Sequence, residues 1–165
     1  MTPPPLTSLG LVHVLLSLLA IGLAIRSMMR RGCIQFSDGA GRAYAAATLL
    51  TALTALGLHQ RATFGPGHVL AVLTLVALVV AAITARGLSE RGSLASRLHV
   101  GAMTATLLFH AIPGVTEALT RLPPSAPLLD SPDSPVVKGL SVVLLVVFGV
   151  LIVRQARADR RGDGT

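Results

Sequence analysis

The chain has 165 residues, of which 52% are hydrophobic and 13% are charged. A soluble domain usually has about 25% charged residues, so this composition excludes an ordinary soluble enzyme and indicates a protein that lies in a lipid bilayer. The formal net charge of +7 can mark a protein that binds a polyanion. Here the cations are divided among several short segments, and we expect no nucleic-acid partner.

Five apolar segments approach the roughly 20 residues that a membrane-spanning helix needs. They cover residues 6–25, 43–59, 68–85, 98–120 and 135–153. The second and third are short and would cross only if upright or in a locally thinner bilayer. We predict an all-α integral membrane protein with five transmembrane helices. A single transmembrane domain takes up residues 1–165, and residues 154–165 form a basic cytoplasmic tail.

The first apolar segment differs from a secretory signal peptide in the position of its charges. Residues 1–5 contain no Lys or Arg, and Arg26, Arg30 and Arg31 follow the apolar run. A signal peptide has its basic residues before the apolar run. We therefore expect a retained first span with the N-terminus outside.

The basic residues predict the orientation of the remaining spans. With the N-terminus outside, only Arg61, Arg121 and Lys138 of the fourteen Lys and Arg residues lie on the outer side. The other eleven are on the inner side, which agrees with the positive-inside rule: Arg26, Arg30, Arg31, Arg42, Arg86, Arg91, Arg97, Arg154, Arg157, Arg160 and Arg161. We predict a C-terminus inside and a multi-pass location in a bacterial inner membrane, with the lipid bilayer as partner.

The connecting loops differ in how much stable structure we expect them to have. The first inner loop, residues 26–42, is polar and rich in glycine, so we expect no stable structure of its own. Gly65-Pro66-Gly67 is a strong turn signal between the second and third spans. The outer segment 122–135 contains five prolines and is predicted to be stiff and largely non-helical. It would either connect two helices or cover the outer mouth.

The fifth span is rich in valine, and Ser141 is nearly its only polar residue. A helix that is apolar all round belongs against lipid. We predict a four-helix bundle formed by the first four spans, with the fifth as a peripheral helix. The surface of this helix is also the predicted contact for a membrane protein partner.

Four of the five histidines fall in the predicted outer half of the membrane. At about 1.5 Å of rise per residue, His13 lies roughly 10 Å and His110 roughly 15 Å below the outer surface. His59 and His68 bracket the hairpin between the second and third spans. His99 alone is on the inner side, where we expect it at the interface.

Small and polar residues share helix faces with these histidines, which permits close helix approach and would equally admit a flat cofactor. The faces are Gly10, His13 and Ser17 on the first span; Tyr44, Thr48, Thr51 and Ala55 on the second; and Met103, Thr106, His110, Gly114 and Glu117 on the fourth.

Imidazole is a ligand of haem iron and of transition metals. We predict that His13 and His110 bind one b-type haem, with His59 and His68 near its propionates at the outer mouth. A metal ion held by His13, His110 and Glu117 is a variant of this site. The alternative is that no cofactor binds and each histidine bonds a neighbouring helix.

Glu117 also has two interpretations. It precedes Arg121 by four residues, the order favoured for a helix ion pair. Turned inward below His110, it would instead be a desolvated carboxylate suited to carrying protons.

Several short motifs give a resemblance to a known group. They are Gly41-Arg42-Ala-Tyr44, Thr51-Ala-Leu-Thr54, Gly67-His68-Val-Leu-Ala71, His99 and Met103. Over residues 41–110 the chain resembles short bacterial multi-pass proteins described only as predicted membrane proteins of unknown function. It has Ser37-Asp38 where that group would have a His-Arg pair. The resemblance implies a helical membrane protein, similar in outline to haem-binding membrane four-helix bundles.

The sequence therefore predicts a small inner-membrane protein with a histidine-lined pocket, in which haem serves electron transfer or sensing. Bond-making catalysis is not favoured, because the chain has neither a Gly-x-Ser-x-Gly elbow nor a His-Glu-x-x-His motif. Two other functions are a non-catalytic accessory or structural subunit of a membrane assembly, and a small-solute or proton pathway along His110 and Glu117.

Overall fold

A computed structural model describes residues 7–58, 65–86 and 92–161. Within these ranges the protein is entirely helical and has no strand, which confirms the all-α prediction. The helices are α1 (Ser8–Arg31), α2 (Gly39–Leu56), α3 (Pro66–Thr84), α4 (Leu94–Arg121) and α5 (Pro135–Arg161).

Four of these helices, namely α1, α3, α4 and α5, are long and apolar enough to cross a membrane. Large aliphatic side chains cover much of their outer surface, and Leu15, Val76 and Val146 are typical of these exposed residues. So much exposed apolar surface is characteristic of a membrane-contacting protein. Helix α2, which contains Arg42, Tyr44 and three threonines, is not among these four.

Three helices extend past the ends of the predicted spans. Helix α1 continues to Arg31, α4 begins at Leu94, and α5 continues to Arg161. Arginine is a good helix former, so the backbone hydrogen bonds continue after the apolar run has ended. Residues 154–161 of the predicted tail are therefore the last turns of α5.

Helices that are consecutive in the chain pack against each other, and α1 also meets α4. The core between them is built from small or slender side chains, including Ala20, Ala24, Ala47 and Ala81, around the larger Met103. Small residues let helix backbones approach closely where the bilayer supplies no hydrophobic driving force.

The loop between α1 and α2 has a defined structure, so the prediction that it lacks one was wrong. Gly32 ends α1 in the left-handed conformation, with φ +71°. Ile34 then enters the core and is completely buried. Two residues later, the carbonyl of Phe36 accepts a 3.0 Å hydrogen bond from the Arg42 guanidinium. The buried isoleucine fixes the loop in spite of its polar composition.

His99 is completely buried among the helices, and its predicted depth at the membrane interface stays a prediction. Its Nδ1 donates to the carbonyl oxygen of Ala81 at the end of α3, at 2.7 Å. Its Nε2 accepts from the backbone N–H of Phe36 at 3.3 Å, and the two rings meet edge to face. Both nitrogens are therefore used in joining α4 to α3 and to the first loop.

Polar side chains fasten the C-terminal part of α5, although sequence reasoning singled out only Ser141 on this helix. Gln155 donates to the Gly32 carbonyl at 3.0 Å and accepts from the Thr104 hydroxyl at 2.8 Å. Asp159 accepts from the Gly92 N–H and from the Ser96 hydroxyl, at 3.0 and 3.1 Å. The two bonds to Asp159 lie at the start of α4, where the helix macrodipole favours a carboxylate.

Candidate functional site

A cluster of buried polar side chains joins α2 to α4, and we call it the His110 site: Tyr44, Thr48, Thr106 and His110. Tyr44, Thr48 and Thr106 are completely buried, and His110 is 6% exposed. The phenol oxygen of Tyr44 and the hydroxyl of Thr106 are 2.7 Å apart. The rings of Tyr44 and His110 have their centroids 6.3 Å apart.

The direction of each hydrogen bond in this site follows from the carbonyl groups at its ends. The Thr106 hydroxyl donates to the Met103 carbonyl at 2.7 Å, so Tyr44 must donate to Thr106. The Thr106 carbonyl lies 2.9 Å from His110 Nδ1. Since a carbonyl oxygen can only accept, Nδ1 carries the proton.

His110 Nε2 is the exceptional atom of the site. With the proton on Nδ1, a neutral His110 presents a lone pair at Nε2. Nε2 is buried and has no hydrogen-bond partner in the part of the chain that the structure describes. Leaving such a group unpaired costs about 1–3 kcal/mol, which is the kind of cost that a bound ligand removes.

Thr48 provides a second unpartnered group, on α2. Its hydroxyl is buried and makes no hydrogen bond to any described residue. Thr48 follows Tyr44 by one helical turn, so it is on the face of α2 that supplies the phenol. The Thr48 hydroxyl interacts with the Tyr44 side chain without a hydrogen bond of regular geometry, so His110 Nε2 is the clearer unpaired group of the site.

His13 is held on α1 in the same tautomeric state. Its Nδ1 is 3.1 Å from both the Thr51 carbonyl and the Thr54 hydroxyl. The hydroxyl already donates to carbonyls within α2, so His13 Nδ1 is the donor. His13 is half-buried, and it lies within electrostatic range of both His110 and Glu117.

Glu117 forms an ion pair with Arg121, as one of its two interpretations predicts. Its side chain is 54% exposed, so it is not the desolvated, inward-facing carboxylate of the second interpretation. Among the described residues, no three His, Cys, Asp or Glu side chains gather as a metal site would require. The metal site predicted at His13, His110 and Glu117 thus finds no support in this arrangement.

The two histidines predicted at the outer mouth have different outcomes. His59 lies outside the described residues. His68 is in the first turn of α3, where its Nδ1 accepts a 3.2 Å hydrogen bond from the N–H of Gly65. This contact caps the helix, and the predicted role beside haem propionates stays a prediction.

Sequence reasoning placed Thr48 and Thr106 on the histidine-bearing faces but treated them as small residues that allow close packing. Their hydroxyls and the Thr106 carbonyl instead determine how the site is bonded. The sequence contained one signal for the bond between the Thr106 carbonyl and His110. In a helix, the backbone carbonyl four residues before a histidine is within reach of its Nδ1. No comparable signal in the sequence indicates that the Thr48 hydroxyl is unpartnered.

Comparison with protein-family models, with curated proteins and with solved structures gave no match to this chain. The resemblance to short bacterial multi-pass proteins therefore stays a prediction.

Proposed function

We propose that this chain is a small multi-pass protein of a bacterial inner membrane, with α1 to α5 as its five spans. In this arrangement α1 to α4 form the bundle, α5 is peripheral, and the N-terminus is outside. The four apolar helices and their exposed aliphatic surface support a membrane location. The distribution of arginines supports the orientation.

Within this protein, His110 and His13 bind one b-type haem through their Nε2 atoms. The observation that carries the proposal is the buried, unpartnered Nε2 of His110. Metal-ligating histidines almost always donate their other ring N–H to a carbonyl or carboxylate. Both His110 and His13 have this arrangement with backbone carbonyls.

Haem, when bound, supplies one-electron oxidation and reduction. The residues of this chain orient the ligands and exclude water. The Thr106 carbonyl holds the ring of His110, and the Thr51 carbonyl holds that of His13. Tyr44 keeps Thr106 in place from α2. The resulting function is electron transfer or sensing, without a bond-making step on a substrate.

The test is an absorbance spectrum of the full chain purified in detergent, before and after addition of haem, in oxidised and reduced states. A Soret band that shifts on reduction is expected. The critical variants are His110→Asn and His13→Asn, because an Asn amide can still donate to the backbone carbonyl but has no Nε2. Each should abolish the band, and His68→Asn, which leaves both proposed iron ligands in place, should retain it.

Two results would reject this assignment. The first is the absence of a Soret band from wild-type protein after haem addition. The second is a band that persists in both critical variants. Size-exclusion elution and the helical circular dichroism signal, compared with wild type, exclude misfolding as the cause of a lost band.

A second candidate function is that of an accessory subunit, and the surface of α5 favours it. In the most apolar 18-residue stretch of α5, only 6% of the residues are buried against the rest of the protein. A photoreactive residue at Val143 on α5 should then crosslink to one discrete partner in cells, whereas one at Val72 on α3 should not. A proton pathway has less support, because Glu117 is exposed and paired with Arg121.

A further inference from the structure

A groove of about 210 Å³ lies between the start of α4 and the end of α5. Its lining consists of three basic and two apolar side chains: Arg97, Val153, Ala156, Arg157 and Arg160. Arg97 comes from α4 and the others from α5, so the groove exists only where the two helices are packed together. It is remote from the His110 site and is not used in the proposed haem function.

The arginines of this groove, Arg97, Arg157 and Arg160, form no ion pair within the described part of the chain. Asp159 is the acidic residue nearest in sequence. Its two oxygens accept hydrogen bonds from the Gly92 N–H and the Ser96 hydroxyl at the start of α4, and it forms no ion pair with these arginines. Three like charges around one groove favour an anionic occupant.

The groove also continues an apolar stripe along α5. Val146, Val150 and Val153 are exposed, and Arg157 and Arg160 follow them at the same helical spacing of three or four residues. From Val146 to Arg160 the helix rises about 21 Å. One face of α5 is therefore apolar over two turns, from Val146 to Val153, and becomes basic where the apolar run of the helix ends.

We propose that this groove binds the headgroup of an anionic phospholipid. The phosphate lies among Arg97, Arg157 and Arg160, and an acyl chain follows the exposed valines. Arginine is well suited to the phosphate, because its planar guanidinium donates two parallel hydrogen bonds. Basic pockets between membrane helices are a general means of binding acidic lipids.

The apolar stripe distinguishes a phospholipid from a free phosphate ion. A phosphate ion would use the three arginines and leave Val146, Val150 and Val153 without a role. A phospholipid matches both parts, because its charge and its hydrocarbon are joined in the same order as the two parts of the stripe. The position at the end of an apolar run is also where phospholipid headgroups lie.

The test measures binding of phosphatidylglycerol to the full chain purified in detergent, from the lipid-dependent rise in unfolding temperature. Phosphatidylcholine and inorganic phosphate are titrated in parallel. Phosphatidylglycerol should stabilise the protein at much lower concentration than either. The double variant Arg157→Gln/Arg160→Gln should raise the half-saturating phosphatidylglycerol concentration by about tenfold or more, since each cation near an anionic lipid contributes roughly 1 kcal/mol.

The matched control is Arg26→Gln/Arg30→Gln, which removes the same charge from exposed positions on α1, outside the groove. It should bind phosphatidylglycerol as wild type does. Ala156→Phe fills the groove without changing the charge and should also weaken binding. The proposal is overturned if the control loses as much affinity as the groove variant, if phosphatidylcholine stabilises equally well, or if inorganic phosphate alone reproduces the effect.

Discussion

Tyr44 on α2 donates a 2.7 Å hydrogen bond to Thr106 on α4, and neither side chain is exposed. The same Thr106 holds the ring of His110 through its backbone carbonyl. The phenol is long enough to connect two helices that are not consecutive in the chain. The orientation of His110 and the position of α4 relative to α2 are therefore linked through one threonine.

This bond should be measurable as a coupling energy. Tyr44→Phe and Thr106→Val each remove one partner, and each should lower the free energy of unfolding by about 1–2 kcal/mol, because a buried hydrogen bond is lost. The double variant should cost about 1 kcal/mol less than the sum of the two single variants. Unfolding in mixed detergent micelles provides the measurement. Strict additivity would show that the two side chains do not interact.

Gly41 should not tolerate any side chain. A Cβ atom at this position would overlap the carbonyl group of Gln35, with its carbon at 2.8 Å. Gly41→Ala should therefore displace the first loop and destabilise the protein by about 1–3 kcal/mol, as overpacking does. Gly39→Ala is the control, since a Cβ there meets nothing within 4 Å. Equal thermal stability of the two variants would contradict this close contact.

His99 should be a structural residue whose loss affects folding. His99→Ala leaves the Phe36 N–H without its partner and removes one of the two side-chain bonds to the Ala81 carbonyl, which also accepts from the Thr84 hydroxyl. Since an unpaired buried group costs about 1–3 kcal/mol and loss of the buried ring leaves a cavity, the unfolding free energy should fall by more than about 2 kcal/mol. His68→Ala, at a half-buried helix start, should cost less. A wild-type unfolding curve for His99→Ala would disprove the structural role.

Glu117 should contribute little to stability or function. In its ion pair with Arg121 the Glu117 side chain is 54% exposed, and exposed pairs contribute about 0.2–1 kcal/mol. Glu117→Gln should lower the unfolding free energy by about 0.5 kcal/mol or less and leave the haem spectrum unchanged. A large loss of haem binding at normal expression would instead support the interpretation of Glu117 as an inward-facing carboxylate.

The orientation of the chain should be detectable with reporter fusions. A reporter placed after Asp163 should behave as cytoplasmic, and one inserted between Ser125 and Asp133 should behave as external. The reason is the excess of arginines on the proposed inner side. The reverse pattern would place the His110 site in the inner half of the membrane and would leave the phospholipid groove facing outward.

The sequence by itself determined where most of the helices lie in the chain and which of their faces carry polar residues. Long apolar runs and helical spacing sufficed for α1 and α3 to α5, because a backbone in lipid must satisfy its own hydrogen bonds. The same spacing placed Thr106 and His110 on one face of α4, so the proton on His110 Nδ1 could in principle have been derived. The ion pair between Glu117 and Arg121 was predicted for the same reason, since it lies within two turns of one helix.

Tertiary structure decided every contact between residues that are distant in the chain. The bonds from His99 to Ala81 and Phe36 use neighbours 18 and 63 residues away, and Gln155 meets Gly32 at a separation of 123. The groove likewise needs Arg97 on α4 beside Arg157 on α5. Helical periodicity shows which side chains share a face. The pairing of helix faces depends on how closely small residues let two helices approach. That distance is set by the packing of all the helices together.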